Sequence, residues 1–227
     1  MLGCVKSVHP GVKSLWEFHQ VADPTRIAVG HDGCGAAVRV APVGILHSSD
    51  SLDELVTDAR EASISTHAGS LAVAAAAATA AAVSAAIDAA SAGHVLALAE
   101  RAAASAESRW QSGSATSFAT AVRTVHDDLA SLPVLRADHV AARCFPDGPL
   151  TIVPLALALA TLLQSAEDAI LVAANIGGDS DSVASIAGGI LGAMYPATVN
   201  QQWCAVVESI NRHSVTAVAH QLAALRH

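Results

Sequence analysis

The stretch LAVAAAAATAAAVSAAI, residues 71–87, decides the fold class of this chain. Only Thr79 and Ser84 interrupt its apolar residues, so no polar face runs along the segment. A helix without a polar face is buried on nearly all sides, and alanine side chains let neighbouring helix backbones approach closely. We therefore predict that residues 71–90 form the central helix of a bundle.

The segments on either side of this stretch are also helical in pattern. Asp50 or Ser51 can cap a helix that runs to about Ser65, with Asp53 and Glu54 in the first turn, where the helix dipole favours acids. No apolar alternation typical of strands occurs over any length, so the sequence predicts an all-α fold. Further helices are predicted over residues 12–21, 95–110, 118–130, 155–163, 166–174, 182–194 and 202–225.

Composition and charge exclude several classes of protein. The chain has 227 residues, 52% hydrophobic and 14% charged, which is enough for one folded domain over residues 1–227 with a sizeable core. A net charge of -8 leaves no basic surface for nucleic acid. The apolar stretches 71–87 and 150–163 are shorter than the roughly 20 residues that cross a membrane. We expect neither nucleic-acid binding nor a membrane span.

The cysteines and the N-terminus indicate the compartment. Four cysteines lie far apart without a C-x-x-C pair, which favours reduced thiols over disulfides or a zinc site. Residues 1–20 contain no apolar run of signal-peptide length. These features predict a cytoplasmic protein.

The segment NIGGDSDSVASIAGGILGA, residues 175–193, carries the most chemistry. Asp179, Asp181 and Ser182 offer hard oxygen ligands of the kind that Mg²⁺, Ca²⁺ and Mn²⁺ prefer. Capping of a helix accounts for one such residue but not for a cluster in an apolar stretch, so we predict a site. The glycines that follow are interpreted as close helix contacts; they are Gly188, Gly189 and Gly192.

A second segment, GHDGCGAAVRVAPVG at residues 30–44, is predicted to be a glycine-rich loop that can approach a ligand. His31 and Asp32 could work as an acid–base pair or lie exposed in the loop. Cys34 could be a nucleophile, but inert packing is favoured because no neighbouring base is predictable. Arg39 could meet a phosphate or pair with a buried acid.

Three motifs in order resemble the ADP-ribosylglycohydrolases, an all-helical family. Residues 177–188 are similar to the family's C-terminal metal motif and the helix after it, and residues 33–44 to its glycine-rich motif. Ser65, Thr66 and His67 before the alanine-rich helix resemble a third motif. The resemblance covers residues 14–203.

This resemblance implies a bundle with two Mg²⁺ ions that hold the ribose diol of ADP-ribose while water cleaves the bond at the anomeric carbon. Asp179, Asp181 and Ser182 would be metal ligands, and Asp179, Asp32 and His31 are the candidate catalytic residues. The candidate substrate-binding residues are Gly33, Cys34, Gly35, Arg39, His67 and Gly178.

The sequence also departs from the family pattern. Family members carry, near the N-terminus, an acidic motif and a Thr-Asp-Asp motif that supply the other metal ligands, and this sequence begins after that point. His126, Asp127 and Asp128 are no substitute, because they follow the glycine segment and lie in a charged, solvated helix. The expectation is a bundle without the family's N-terminal helices, with half of the metal site and with Mg²⁺ either retained or lost.

Three functions follow as alternatives. The first is an Mg²⁺-dependent hydrolase of ADP-ribose or a nucleoside-like metabolite, completed by a partner chain or a second copy. The second is a metal-independent enzyme for another small metabolite, using His31, Asp32 and the Asp179–Asp181 pair as acid and base. At least one carboxyl of that pair should then have a raised pKa, because no metal compensates the two close charges. The third is a non-catalytic binding or structural protein. A homo-oligomer is expected in each case, because a bundle without its N-terminal helices exposes apolar surface.

Overall fold

The structure, a computed structural model, describes residues 31–110, 117–212 and 214–227. The helix predicted over residues 12–21 lies outside these ranges. Within them the chain forms α-helices, one 3-10 turn at Pro196–Thr198 and no strand, which confirms the all-α prediction. The helices are α1 Gly35–Arg39, α2 Ala41–Leu46, α3 Leu52–Ile64, α4 Ser70–Ile87, α5 Ala92–Trp110, α6 Phe118–Ala130, α7 Ala137–Arg143, α8 Pro149–Leu162, α9 Ala166–Ala174, α10 Ser180–Met194, α11 Gln201–Asn211 and α12 Val215–Ala223.

Helix α4 is the centre of the bundle, as the alanine-rich stretch predicts. Every residue from 72 to 86 is buried, and α1, α2, α3, α5, α6, α8 and α10 all pack against it. The helix ends at Ile87 and not at residue 90, because Ala89 adopts a positive φ of 57° and Asp88 turns to accept a hydrogen bond from the Ser49 amide at 2.9 Å.

By length and composition alone, α4 could also cross a membrane. It is 18 residues long, and 83% of that window is buried inside the bundle. Burial among other helices of the same chain is what the core helix of a folded domain requires. Helix α4 therefore has its apolar surface covered by protein.

The predicted glycine-rich loop is wrong from Gly35 onward, because residues 35–46 form the two short helices α1 and α2. Ala36, Ala37 and Val40 are buried in the core. At Gly44 an added Cβ would lie 2.4 Å from the Ala80 carbonyl oxygen of α4. The small residues of this segment thus allow close helix packing. Glycine and alanine content alone does not distinguish such a packed helix from a flexible loop.

The single helix predicted over residues 202–225 is also wrong, since the chain forms α11 and α12 there. Arg212 adopts a left-handed conformation with φ of 55° and ends α11, and Ser214 caps α12 by accepting from the Ala217 amide. After α12 the chain returns to the body, where Arg226 donates to the Gly44 and Ile45 carbonyls at 2.9 Å.

Candidate active site at the start of helix α10

A tight turn at Gly177 and Gly178 positions the first residues of α10. Both glycines have positive φ, 78° and 57°, a region that strongly favours glycine. An added Cβ on Gly178 would lie 2.3 Å from the Pro146 carbonyl oxygen, the same oxygen that accepts a hydrogen bond from the Asp179 amide at 2.8 Å. The turn is therefore fixed against the loop before α8, and a side chain at Gly178 would collide with that loop.

Asp179 lies at the centre of a small polar cluster. One carboxylate oxygen accepts from Ser182 Oγ at 2.8 Å, and the other accepts from Cys34 Sγ at 2.9 Å. Cys34 and Ser182 are themselves 3.4 Å apart. Ser182 is buried, Asp179 is half-buried and Asp181 is exposed. The structure thus brings Cys34 of the glycine-rich motif to the predicted metal motif, across 145 residues of sequence.

The cluster changes the acidity of both Asp179 and Cys34. Burial raises the pKa of Cys34, and its hydrogen bond to Asp179 raises it further, so the thiol stays protonated and is a weak nucleophile. Burial also opposes ionisation of Asp179, but its interactions with Cys34, Ser182 and Asp181 outweigh burial and lower the pKa of this carboxyl. Within the Asp179–Asp181 pair, Asp179 is therefore not a carboxyl with a raised pKa.

The donor chemistry of the turn fits a divalent cation. Asp179, Asp181 and Ser182 supply two carboxylates and a hydroxyl from adjacent positions at the start of α10. Mg²⁺ usually binds through one or two carboxylates and keeps several of its waters. The Cys34 thiol is a soft group and does not suit Mg²⁺, so these three oxygen-bearing residues are the ones that would hold the ion.

Asp32 serves as a cap for the central helix. One carboxylate oxygen of Asp32 accepts from the amides of Leu71 and Ala72 at 2.9 and 3.2 Å, in the first turn of α4. The amide of Gly69 donates to the His31 carbonyl at 3.0 Å. An added Cβ on Gly69 would collide with the Asp32 carboxylate at 2.1 Å. The observed contacts of Asp32 are those of a positioning residue, and its predicted catalytic role stays a prediction.

His67 is buried beside the first glycines of the site. Arg39 donates to Thr66 Oγ1 at 2.5 Å, and Thr66 Oγ1 lies 2.8 Å from His67 Nδ1. The hydroxyl oxygen accepts from Arg39 and shares a second hydrogen bond with Nδ1, while the other ring nitrogen, Nε2, faces Gly33 and Gly35. Added Cβ atoms on Gly33 and Gly35 would lie 3.2 and 3.1 Å from this Nε2. A side chain at either position would therefore press against the imidazole.

Burial, assisted by the positive charge of Arg39, lowers the pKa of His67 to about 4. The imidazole is consequently neutral near pH 7. Arg39 also donates to the carbonyls of Ala62 and Ser63 at the end of α3, at 3.1 and 3.3 Å. Cations at this end of a helix are favoured by its dipole, so Arg39 fixes both α3 and the His67 ring.

Phe145 is a residue of this region that the sequence did not single out. Its side chain is 51% exposed, and its ring lies 3.1 Å from the position of an added Gly178 Cβ. The sequence indicated only a turn at residues 144–149. Thr66 and Gly69 were also missed as individual residues, although both flank His67 in the motif that opens the alanine-rich helix.

The geometry joins the three sequence motifs into one continuous region. Asp32 caps α4, Gly33 and Gly35 accommodate His67, and Cys34 contacts Asp179. No curated protein matches the chain. The family model for ADP-ribosylglycohydrolases matches residues 3–227. This chain therefore belongs to the ADP-ribosylglycohydrolase family.

Proposed function

We propose that this protein is a hydrolase that cleaves a glycosidic bond of ADP-ribose, or of a related nucleoside-like metabolite, with Mg²⁺ bound at the start of α10. The family is hydrolytic, and its match over residues 3–227 supports the reaction class. The observation that carries the site is the arrangement of Asp179, Asp181 and Ser182, in which a half-buried carboxylate is held by hydrogen bonds beside an exposed one.

A bound Mg²⁺ would orient the ribose hydroxyls and stabilise negative charge on oxygen. Asp179, Asp181 and Ser182 would hold the ion. A carboxylate at the site would also position the attacking water against the anomeric carbon, which becomes oxocarbenium-like in the transition state. Neutral His67 lies against Gly33 and Gly35, and the exposed ring of Phe145 would offer an aromatic face to a planar group of the substrate.

The proposal includes the cytoplasm as the compartment and a second copy of this chain as the partner. The three cysteines of the described residues, Cys34, Cys144 and Cys204, are free thiols, which suits a reducing compartment. The exposed apolar residues of α11 and α12 support self-association.

The test is release of free ADP-ribose from N-linked and O-linked ADP-ribose conjugates in the presence of Mg²⁺. Asp181→Asn removes one proposed ligand, and we expect the rate to fall at least about 100-fold, as for loss of a group that stabilises transition-state charge. Asp168→Asn is the matched control, because Asp168 is an exposed acid in the first turn of α9, at the opposite end of that helix from the glycine turn. Equal rates for the two variants would contradict the proposed site.

One observation favours the metal-independent enzyme as a second candidate. Both oxygens of Asp179 already accept hydrogen bonds from Ser182 and Cys34, so the cluster is satisfied by the chain's own groups. If the enzyme works without a metal, a chelator should leave the rate of hydrolysis unchanged, whereas Asp181→Asn should still abolish hydrolysis. Loss of activity with chelator and its return with Mg²⁺ would exclude this candidate.

A further inference from the structure

A second cluster of ligating side chains lies at the opposite end of α4. One atom each from His47, Glu54 and His227 lies within 4.8 Å of the others. Ser84 donates to the His47 carbonyl at 2.6 Å, which anchors this cluster near the C-terminal end of α4. The other end of α4 is marked by Leu71, whose amide binds Asp32 next to the first site. Ser84 is about 20 Å along the helix from Leu71, given a rise of about 1.5 Å per residue. The cluster is therefore separate from the site at α10.

One ring nitrogen of His47 is buried and has no hydrogen-bond partner within residues 31–110, 117–212 and 214–227. The residue is 3% exposed, and its Nε2 lies 2.9 Å from a carboxylate oxygen of Asp58. Because a carboxylate only accepts, Nε2 carries the proton and Nδ1 carries the lone pair. Nδ1 has no hydrogen-bond partner among the described residues. A buried acceptor without a donor is costly, and a metal ion is a group that would satisfy it.

The imidazole of His227, like that of His47, has one nitrogen that donates a hydrogen bond and one that keeps its lone pair. Its Nδ1 lies 3.1 Å from the Leu225 carbonyl oxygen, which only accepts, so Nδ1 carries the proton and Nε2 keeps its lone pair. The backbone of His227 is fixed by two hydrogen bonds, to the Leu46 carbonyl at 2.9 Å and from the Ser48 amide at 2.7 Å. Histidine ligands of metals characteristically donate their other N–H to a carboxylate or a carbonyl, and both imidazoles here do so.

The surroundings of the cluster favour a cation. His47, Glu54 and His227 line an open cavity of about 460 Å³ that also contains Asp53 and Asp58. Arg109, the positive residue in the lining, is paired with Asp53. Two imidazoles and one carboxylate are a ligand set typical of Zn²⁺ and related transition metals, whereas Mg²⁺ and Ca²⁺ prefer oxygen ligands only.

We propose that His47, Glu54 and His227 bind one divalent transition-metal ion, with Zn²⁺ as the best match. Zinc–nitrogen distances of about 2.1 Å place tetrahedral ligand atoms about 3.4 Å apart, so the cluster tightens when the ion binds. Glu54 and His227 are exposed and can move inward, while His47 is held by the core. The three ligands come from the end of α2, the first turn of α3 and the segment after α12, so the ion would clamp that last segment to the body.

The test is zinc binding to the full chain by calorimetry, together with the visible absorption of the Co²⁺-substituted protein. Glu54→Gln and His227→Ala alter exposed ligands that leave the core intact, and each should lower zinc affinity at least about 10-fold. Asp58→Asn should weaken binding by about 10-fold or more, because it removes the carboxylate that orients His47. The matched control is His220→Ala, an exposed histidine of α12 that should leave binding unchanged.

The expected result is one zinc equivalent per chain that depends on Glu54 and His227, is kept in His220→Ala and Asp181→Asn, and raises the Tm of the wild type. Retention in Asp181→Asn distinguishes this ion from one at α10. The proposal is wrong if the wild type binds no zinc, or if Glu54→Gln and His227→Ala bind it as tightly as His220→Ala.

Discussion

At the scale of single residues, Asp32 shows how a candidate catalytic acid can serve the fold. Its carboxylate caps α4 through the amides of Leu71 and Ala72. Asp32→Ala should therefore lower the free energy of unfolding by about 1–2 kcal/mol, the usual effect of losing an N-cap. Urea denaturation measures this change, and Asp50→Ala, at an exposed acid whose side chain does not cap α3 in the structure, should change it by less than about 0.5 kcal/mol. Equal stability of both variants would contradict the capping role.

His67 gives a pH dependence with a definite sign. Burial and Arg39 lower its folded pKa from 6.5 to about 4, so the unfolded chain takes up this proton first as the pH falls. The stability that neutral His67 provides is complete above pH 6.5 and is lost between about 6.5 and 4, by at most about 3 kcal/mol. NMR titration of the His67 ring measures the pKa directly, and a value near 6.5 would contradict the buried, neutral assignment.

At the scale of elements, two helical glycines make a matched pair. An added Cβ on Gly44 would lie 2.4 Å from the Ala80 carbonyl oxygen, whereas one on Gly189 meets nothing within 4 Å. Gly44→Ala should destabilise the protein by about 1–3 kcal/mol through overpacking. Gly189→Ala should stabilise it by about 0.5–1 kcal/mol, because alanine is the better helix former. Thermal unfolding of both variants checks the pair, and similar Tm values would contradict the close packing of α2 on α4.

Some helices could be predicted from the sequence, and one helix break could not. Helix α4 was predictable because it has no polar face, and α3 because acids follow its cap. The break between α11 and α12 at Arg212 was not predictable, because nothing in the neighbouring sequence indicates that a non-glycine residue adopts a left-handed conformation. Among the glycines of α10, Gly188 lies against Ile170 as predicted, but Gly189 faces open space.

The candidate site was predictable only where its residues lie close together in the sequence. Asp179, Asp181 and Ser182 are adjacent in sequence, so their cluster is visible as a motif. The contact between Cys34 and Asp179 spans 145 residues and depends on how α1 packs on α10. The His47 and His227 cluster likewise depends on tertiary structure alone.

At the scale of the whole molecule, α11 and α12 lie at the surface of the bundle, where α12 contacts α2. Neither helix has a buried residue, and the exposed apolar side chains of α11 recur at helical spacing on one stripe; they are Trp203, Val206, Val207 and Ile210. An apolar stripe of this kind is typical of an interface. We predict a homodimer by light scattering, and Ile210→Glu should shift it toward monomer while His220→Ala does not. A monomeric wild type would contradict this.

The most direct test of the central claim is calorimetric titration of the protein with Mg²⁺, followed by ADP-ribose in its presence, for wild type and Asp181→Ala. The account predicts that the wild type binds both and that the substitution abolishes binding of the ion and weakens that of ADP-ribose. Absence of Mg²⁺ and ADP-ribose binding by the wild type, or equal binding by Asp181→Ala, would contradict the assignment of the site at the start of α10.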